Sequence, residues 1–321
     1  MKTEEELKSL YENTLKDKLQ SLEAQRKGIM LRYVFYILGI IASIGATFLS
    51  GPQTAYMFQI GLVGMVIFII LLIRMKKSKE AYRQEFKQNV VKEIVQLINP
   101  QWNYQPDGRI SETDYRMSDL FPSSYDRYRG DDLVSGVIER TDFKFSELHT
   151  EYKTTSTDGD GHTKTEWHTI FKGIFAHADF NKEIQGRTLV LPDTAEKLFG
   201  SFGKKLQKMS GRGKLIKMEN VEFEKQFVVY GSDQIESRYI LTPSMMESMM
   251  NIKKKYKKPI YFSFKGSRVY VAMSFSQDLF EPRIFKSGVN FDDMRQMNEQ
   301  FSVIQSIVQE MNLNTRIWTK D

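Results

Sequence analysis

Residues 33–73 read YVFYILGIIASIGATFLSGPQTAYMFQIGLVGMVIFIILLI and contain no charged side chain, although 27% of the 321-residue chain is charged. One helix of this length would measure about 60 Å, twice the roughly 30 Å hydrocarbon core of a bilayer. Ser50, Gly51 and Pro52 interrupt the stretch, because glycine favours a turn and proline cannot continue a helix. The sequence therefore predicts a transmembrane helical hairpin with spans at about 33–50 and 54–73.

Basic residues flank only the outer ends of this hairpin. They are Arg26, Lys27 and Arg32 before it, and Arg74, Lys76, Lys77 and Lys79 after it. The connecting turn carries no charge. Because cytoplasmic flanks are enriched in Lys and Arg, we expect both chain ends in the cytoplasm and the turn outside a cell (inner) membrane that the chain crosses twice.

Each span is expected to continue into the cytoplasm as a helix. Residues 1–32 open with Thr3 and three glutamates, a capping box, and then form an amphipathic helix. Residues 74–100 form a second extension, which Asn99 and Pro100 end. The apolar residues recur at helical spacing: Leu7, Tyr11, Leu15, Leu19 and Leu22, then Tyr82, Phe86, Val90, Ile94 and Leu97. Either the two extensions pair as a stalk, with Leu19 level with Phe86, or each packs separately on the following domain.

Residues 101–321 are predicted to form a cytoplasmic α+β domain with a largely antiparallel sheet and late helices, either as one large domain or as two closely joined halves. The predicted strands are 134–139, 143–155, 166–180, 188–191 and 222–230, with a hairpin of 260–264 and 268–275. The predicted helices are 195–208, 243–256 and 291–311. The last helix either packs on the sheet, which we favour, or forms a coiled-coil seam.

Composition excludes several kinds of chemistry. With no Cys, the chain has no disulfides, thiol catalysis or cysteine-ligated metal, and a net charge of +6 is too weak a bias to indicate nucleic acid. His162, His168 and His177 lie near Asp158 and Asp160, but Thr163 occupies the glycine position of a calcium loop. The glycine-rich runs at 200–205 and 210–214 lack phosphate-loop spacing. No metal or other cofactor is predicted.

A lysine cluster follows the predicted helix 243–256. It consists of Lys253, Lys254, Lys255, Lys257 and Lys258, around Tyr256. One interpretation is a solvated helix end whose charges complement the helix dipole. The other is contact with anionic lipid headgroups of the membrane to which the chain is attached. Nucleic-acid binding ranks third, because only one aromatic residue interleaves the cluster.

Several motifs resemble a bacterial family of two-span membrane proteins known only as a domain of unknown function. They are FKGIFAHADFNK at 171–182 with Gly186 and VLPD at 190–193, DQIESRYILTP at 233–243, and IYFSFK at 260–265 with LFEP at 279–282. The resemblance implies a bacterial inner-membrane protein with possible partners among coiled-coil membrane proteins of the LemA kind. It implies no catalytic residue, because the family has none assigned.

Together these features favour a membrane-anchored cytoplasmic binding or scaffold protein. The alternative is a membrane-tethered hydrolase or transferase whose active site is dispersed along the sequence. Asp233, Glu236 and Arg238 are the first polar residues to consider for it. Their other interpretation is a structural ion-pair network at a strand-to-helix turn.

The charge asymmetry across the hairpin gives a test of topology. Because the chain has no native Cys, single-cysteine variants can be labelled without background. In right-side-out vesicles, an impermeant thiol reagent should label Gln53→Cys and leave Ser232→Cys unlabelled until the membrane is permeabilised. The opposite pattern would exclude a cytoplasmic C-terminal domain.

Overall fold

The structure is a computed structural model that describes residues 4–49, 51, 54–157, 159, 161–193, 213–311 and 313. The chain divides into two compact units, which are described separately. The helical unit comprises Lys2–Ile98 and Phe280–Asn298. The sheet unit comprises Asn99–Leu279 and Glu299–Asp321. The helix predicted at 195–208 lies outside the described residues.

Two continuous helices, Glu4–Phe48 and Tyr56–Ile98, are long and apolar enough to cross a membrane. Each contains a short π-helical turn, so the elements in order are α1 (Glu4–Leu10), a π turn (Tyr11–Leu15), α2 (Lys16–Phe48), α3 (Ala55–Phe86), a π turn (Lys87–Val91) and α4 (Lys92–Ile98). Only 11% and 6% of their most apolar 18-residue windows are buried. The core helix of a soluble protein buries such residues, so these two helices have the exposure expected of lipid-facing segments.

Small residues bring the two apolar segments close together. A Cβ added at Gly61 would lie 2.7 Å from the backbone oxygen of Ser43, and one at Gly64 would lie 2.7 Å from Ser43 Oγ. A Cβ at Gly39 would overlap the ring of Phe68. Close backbone approach at small residues is the usual way in which helices pack in lipid.

Beyond the apolar segments the two helices still lie side by side. Lys18 Nζ donates to Glu93 Oε1 at 2.7 Å, and Gln25 Nε2 donates to Glu85 Oε2 at 2.8 Å. The apolar stripes predicted for the extensions are largely buried. However, these bonds place Leu19 near the level of Glu93, about one and a half turns from its predicted partner Phe86. Counting residues from the ends of the two spans fails because the limits of the uncharged stretch do not mark where the two helices are level.

The sheet unit contains a seven-stranded sheet in which every strand pair is antiparallel. Its strands are β1 (Asn103–Gln105), β2 (Arg127–Ile138), β3 (Thr141–Thr157), β4 (Thr163–Pro192), β5 (Lys214–Ile216), β6 (Phe227–Gly231) and β7 (Ile260–Ser274). The order is β1-β2-β3-β4-β6-β5, and β7 also pairs with β4. The remaining helices are α5 (Glu112–Met117), α6 (Val221–Glu224), α7 (Gln234–Ile240), α8 (Pro243–Tyr256) and α9 (Phe291–Glu310). The predicted α+β class is confirmed.

Three local predictions were wrong. The strands predicted at 166–180 and 188–191 are one continuous strand, β4. The predicted hairpin at 260–275 is a single strand, β7, which pairs with β4 on both sides of Gly266. Gly266 has a φ of +59°, and the pairing register shifts on both sides of Ile184 in β4. Gly266 therefore lies at an irregularity in the pairing of two long strands and does not form a turn. The strand predicted from Glu222 begins only at Phe227, because Asn220 caps the short helix α6.

Aromatic side chains fill the sheet unit. On one side, Tyr115 of α5 packs against Phe175 of β4, with ring centroids 5.2 Å apart. Elsewhere in the unit, Phe301 of α9 packs against Phe145 of β3, with centroids 5.9 Å apart. This contact confirms that the last helix packs on the sheet rather than forming a coiled-coil seam.

The paired extensions can be tested by thiol cross-linking. The Gln25→Cys/Glu85→Cys double variant should be joined within one chain by a short bifunctional thiol reagent, because the native side chains are hydrogen-bonded across the helices. The Lys18→Cys/Glu85→Cys variant is the control, since its two positions lie about two turns out of step. Mass spectrometry of the digested protein detects the bridge. Equal cross-linking in both variants would contradict the observed register.

Candidate functional site

The lysine cluster lies where helix α8 ends and strand β7 begins. Thr242 caps the helix start, accepting a hydrogen bond from the backbone N–H of Met245 at 3.2 Å. Lys257 ends the helix in a left-handed conformation (φ 52°), and its N–H donates to the oxygen of Lys253 at 2.9 Å. The chain reverses at this C-cap. Lysines in the last turn and lysines beyond it therefore surround one end of the helix.

A surface pocket of about 490 Å³ opens at this end of α8. Its lining residues are Pro192, Gln226, Met250, Asn251, Lys253, Lys254, Lys257, Lys258 and Pro259. Four of the five predicted lysines thus line one cavity, together with Met250 and two prolines. Cationic groups beside apolar side chains suit a ligand that is itself anionic at one end and apolar at the other.

Lys253 is held in a structural position within this pocket. Its Nζ donates to the backbone oxygen of Gln226 at 2.7 Å and lies 4.6 Å from the ring centroid of Phe227. The N–H of Asp193 donates to the same oxygen at 3.0 Å. Burial lowers the pKa of the Lys253 ammonium. This lysine therefore ties α8 to the ends of β4 and β6.

Lys255 points away from the pocket toward helix α9. Its Nζ donates to Ser306 Oγ at 2.9 Å, and the hydroxyl of Tyr256 donates to the same oxygen at 3.1 Å. Burial raises the pKa of the Tyr256 hydroxyl, which stays neutral. Lys255 and Tyr256 thus join α8 to α9, a role that the sequence did not indicate.

Lys254, Lys257 and Lys258 carry the exposed charge of the pocket. Lys258 Nζ lies 5.5 Å from the ring centroid of Phe275. Within the described part of the chain, the side chains of Lys254 and Lys257 make no ion pair or hydrogen bond. Three cations that have no carboxylate partner among the described residues raise the local positive potential, so the pocket attracts anions.

The alternative site residues have structural partners. Asp233 caps α7 by accepting from the N–H of Glu236 at 2.8 Å. Glu236 in turn accepts from the N–H groups of Gln185 and Gly186 at 2.8 and 2.9 Å. Arg238 donates to the backbone oxygen of Lys217 at 3.4 Å. The Glu236 side chain thus secures α7 to β4 through hydrogen bonds to backbone N–H groups, and these contacts of the three residues are not the predicted ion pairs.

The histidines of the sheet unit occupy separate surroundings. His168 stacks on Tyr152 at 4.9 Å and contacts Thr154 Oγ1 at 2.8 Å. His177 is buried and accepts from Arg268 through Nδ1 at 2.8 Å. Burial, reinforced by Arg268, lowers the pKa of His177 to about 4, so its ring is neutral at physiological pH. Asp158 and Asp160 lie outside the described residues.

Comparison with known proteins gives a family without an assigned activity. Residues 169–313 match the family described as "Protein of unknown function (DUF3137)". This match confirms the resemblance to an uncharacterised family, and its range includes the lysine pocket. No curated protein matches the chain significantly.

A solved structure with weak similarity is the crystal structure of the mycobacterial trehalose monomycolate transport factor A, TtfA. It shares 10% sequence identity with a TM-score of 0.34, over 66% of this chain and 92% of that chain. A likeness at this level supports no inference about fold or function.

Glu147, on β3, is a buried carboxyl outside the pocket. It accepts a hydrogen bond from the N–H of Leu279 at 3.0 Å. Burial raises the pKa of Glu147 to about 8, and the nearby Asp131 and Asp278 act in the same direction. The carboxyl is therefore protonated in the folded protein at neutral pH.

This pKa predicts a pH-dependent stability. An unfolded Glu has a pKa of about 4.3. The higher pKa of Glu147 in the folded protein means that folding is most favourable below pH 4.3, where the carboxyl is protonated in both states. The free energy of unfolding then falls as the pH rises toward 8. Glu147→Gln should melt at a higher temperature than wild type at pH 8 and show little difference at pH 5. Differential scanning fluorimetry of full-length protein in neutral detergent measures this. Glu139→Gln, which removes an exposed carboxylate, should follow wild type. If Glu147→Gln also followed wild type at both pH values, the raised pKa would be wrong.

Proposed function

We propose that this chain, part of which matches a family without an assigned activity, is a membrane-anchored binding protein. We further propose that its lysine pocket takes the phosphate-bearing headgroup of an anionic lipid. In this proposal the two apolar helices cross a bacterial inner membrane, and both chain ends lie in the cytoplasm. The predicted partners are the bilayer itself and, from the resemblance, coiled-coil membrane proteins.

The exposed apolar helices support the anchor. Ile41, Ile60 and Val63 are each about 60% exposed, as are many of their neighbours within the uncharged stretch. A continuous exposed surface of this kind is unstable in water and stable in lipid. The uncharged turn and the basic outer flanks support the proposed orientation.

The composition of the pocket carries the binding proposal. Lys254, Lys257 and Lys258 offer charge to a phosphate, while Met250 and Pro259 offer an apolar wall to the start of an acyl chain. A lysine near an anionic lipid surface contributes about 1 kcal/mol, so three supply about 3 kcal/mol. Membrane anchoring adds a high effective lipid concentration without any further contact.

The enzyme interpretation has less support. Glu236 and Asp233 are engaged by backbone N–H groups, and these hydrogen bonds explain both carboxylates as structural. The lysine pocket holds cations beside an apolar wall, which is a binding arrangement. A binding function therefore uses the residues that lack a structural explanation.

Lipid binding can be measured on the full chain in neutral detergent by native mass spectrometry. Short-chain phosphatidylglycerol should bind more tightly than short-chain phosphatidylcholine, and 0.5 M salt should reduce the difference. The triple variant Lys254→Gln, Lys257→Gln, Lys258→Gln should weaken phosphatidylglycerol binding at least tenfold, since about 1.4 kcal/mol corresponds to a factor of ten. Competition by inorganic phosphate separates recognition of the phosphate from recognition of the acyl chain.

A matched control removes three other exposed lysines. The variant Lys92→Gln, Lys144→Gln, Lys217→Gln has the same net charge as the pocket variant and leaves the pocket intact. It should bind phosphatidylglycerol like wild type. If both triple variants lost affinity equally, or if neither did, the lysines would be a solvated helix end and the lipid proposal would fail.

A further inference from the structure

The segment 281–288 is attached to the helical unit by buried charges. Glu281 accepts from Arg83 Nε at 2.7 Å and from Lys87 Nζ at 2.8 Å. Lys87 is completely buried. A buried ammonium is stable only with an anionic partner in place, so this ion pair fixes one end of the segment firmly.

A second set of bonds fixes the middle and the far end. Arg26 is 5% exposed, donates to the backbone oxygen of Ile284 at 2.5 Å, and pairs with Glu23 at 2.7 Å. Glu23 also accepts hydrogen bonds from Ser287 and Gly288. Backbone and side-chain bonds thus hold both sides of Phe285.

Despite this support, the segment directs its largest apolar side chain outward. Phe285 is 63% exposed. Its neighbours Arg283 and Lys286 are also exposed, and both lie near the carboxylate of Asp293, at 3.8 and 3.5 Å. The result is an exposed aromatic ring on an anchored backbone segment, flanked by two cations.

The position of the ring coincides with the end of the apolar surface. Phe285 packs edge-on against Tyr33, with centroids 5.4 Å apart. Tyr33 is the first residue of the uncharged stretch, and Lys79 Nζ lies 4.5 Å from its ring centroid. The neighbouring Val34 and Phe35 are 44% and 62% exposed. Phe285 is therefore at the level where charged residues give way to apolar ones.

From this geometry we propose that segment 281–288 is a third membrane contact, in addition to the two apolar helices. Phe285 enters the headgroup region beside Tyr33, while Arg283 and Lys286 meet lipid phosphates. Aromatic rings concentrate at this level of membrane proteins, and flanking cations add attraction to an anionic leaflet. The proposal rests on the membrane anchor proposed above, and it is independent of the lysine pocket.

The occupant follows from continuity with the apolar helices. A lone exposed phenylalanine on a soluble surface needs no explanation. Here the ring extends the exposed apolar surface of α2 that begins at Leu31 and Val34, so whatever solvates those residues also reaches Phe285. The lipid interface is about 5–8 Å deep on each side of the hydrocarbon core, enough to enclose one aromatic side chain.

The test uses single-cysteine variants of the full chain, labelled with an environment-sensitive fluorophore and reconstituted into vesicles of mixed neutral and anionic lipid. A fluorophore at Lys286→Cys reports the depth of segment 281–288 in the membrane and leaves Phe285 in place. Val63→Cys, 60% exposed in the apolar stretch, reports the anchor. Lys8→Cys is the aqueous control, because it lies about 37 Å along the helix from Tyr33. Quenchers are attached either to the lipid headgroup or deep in the acyl chain.

We expect headgroup quenching at Lys286→Cys at least twofold above that at Lys8→Cys, and deep quenching at Val63→Cys. Adding Phe285→Ser should reduce headgroup quenching at Lys286→Cys, and adding Phe285→Trp should preserve it. Because Phe285 is exposed, neither substitution creates a cavity in the core. If Lys286→Cys matched Lys8→Cys while Val63→Cys was quenched, the third contact would be wrong and the anchor would stand. If Val63→Cys was not quenched, both proposals would fail.

Discussion

The structure depends on one constraint: the uncharged stretch 33–73 carries mostly apolar side chains, which water solvates poorly. The most apolar windows of α2 and α3 remain almost entirely exposed. Glycines at 39, 61 and 64 bring the two helices into direct contact, so the remaining surface faces outward. Both extensions continue from this pair without a break.

Outside the apolar stretch, ionic contacts replace the small residues as the means of holding the helices. Lys18 and Glu93 bridge the pair near its end, and Glu281 reaches the second helix from a distant part of the sequence. Such pairs would be weak on an open surface. The bond to Lys87 is different, because that ammonium is fully buried and a buried charge depends on anionic partners such as Glu281. The segment at Glu281 is thus part of the support of the helices.

Local sequence signals predicted the elements whose boundaries have a local cause. Helix α8 begins and ends where Thr242 and the lysine run indicate, because capping is a short-range interaction. The hairpin at Gly266 was wrong, since whether a glycine makes a turn or a bulge depends on the length of β4 beside it. The sequence also could not show that residues 280–298 belong to the helical unit. That placement depends on contacts such as the hydrogen bond from Arg26 to Ile284, two residues that are far apart in sequence.

The lysine cluster shows the same limit at the scale of single side chains. Five similar residues in six positions look equivalent, but helical geometry points them in different directions. Lys253 meets a backbone oxygen next to β6, and Lys255 meets Ser306 on α9. Both bonds involve residues that no local pattern links to the cluster. What remains is a smaller cationic group beside an apolar wall, formed where a helix cap and a strand start converge. The sequence can locate such a surface, whereas only the tertiary packing decides which of its charges are free to bind a ligand.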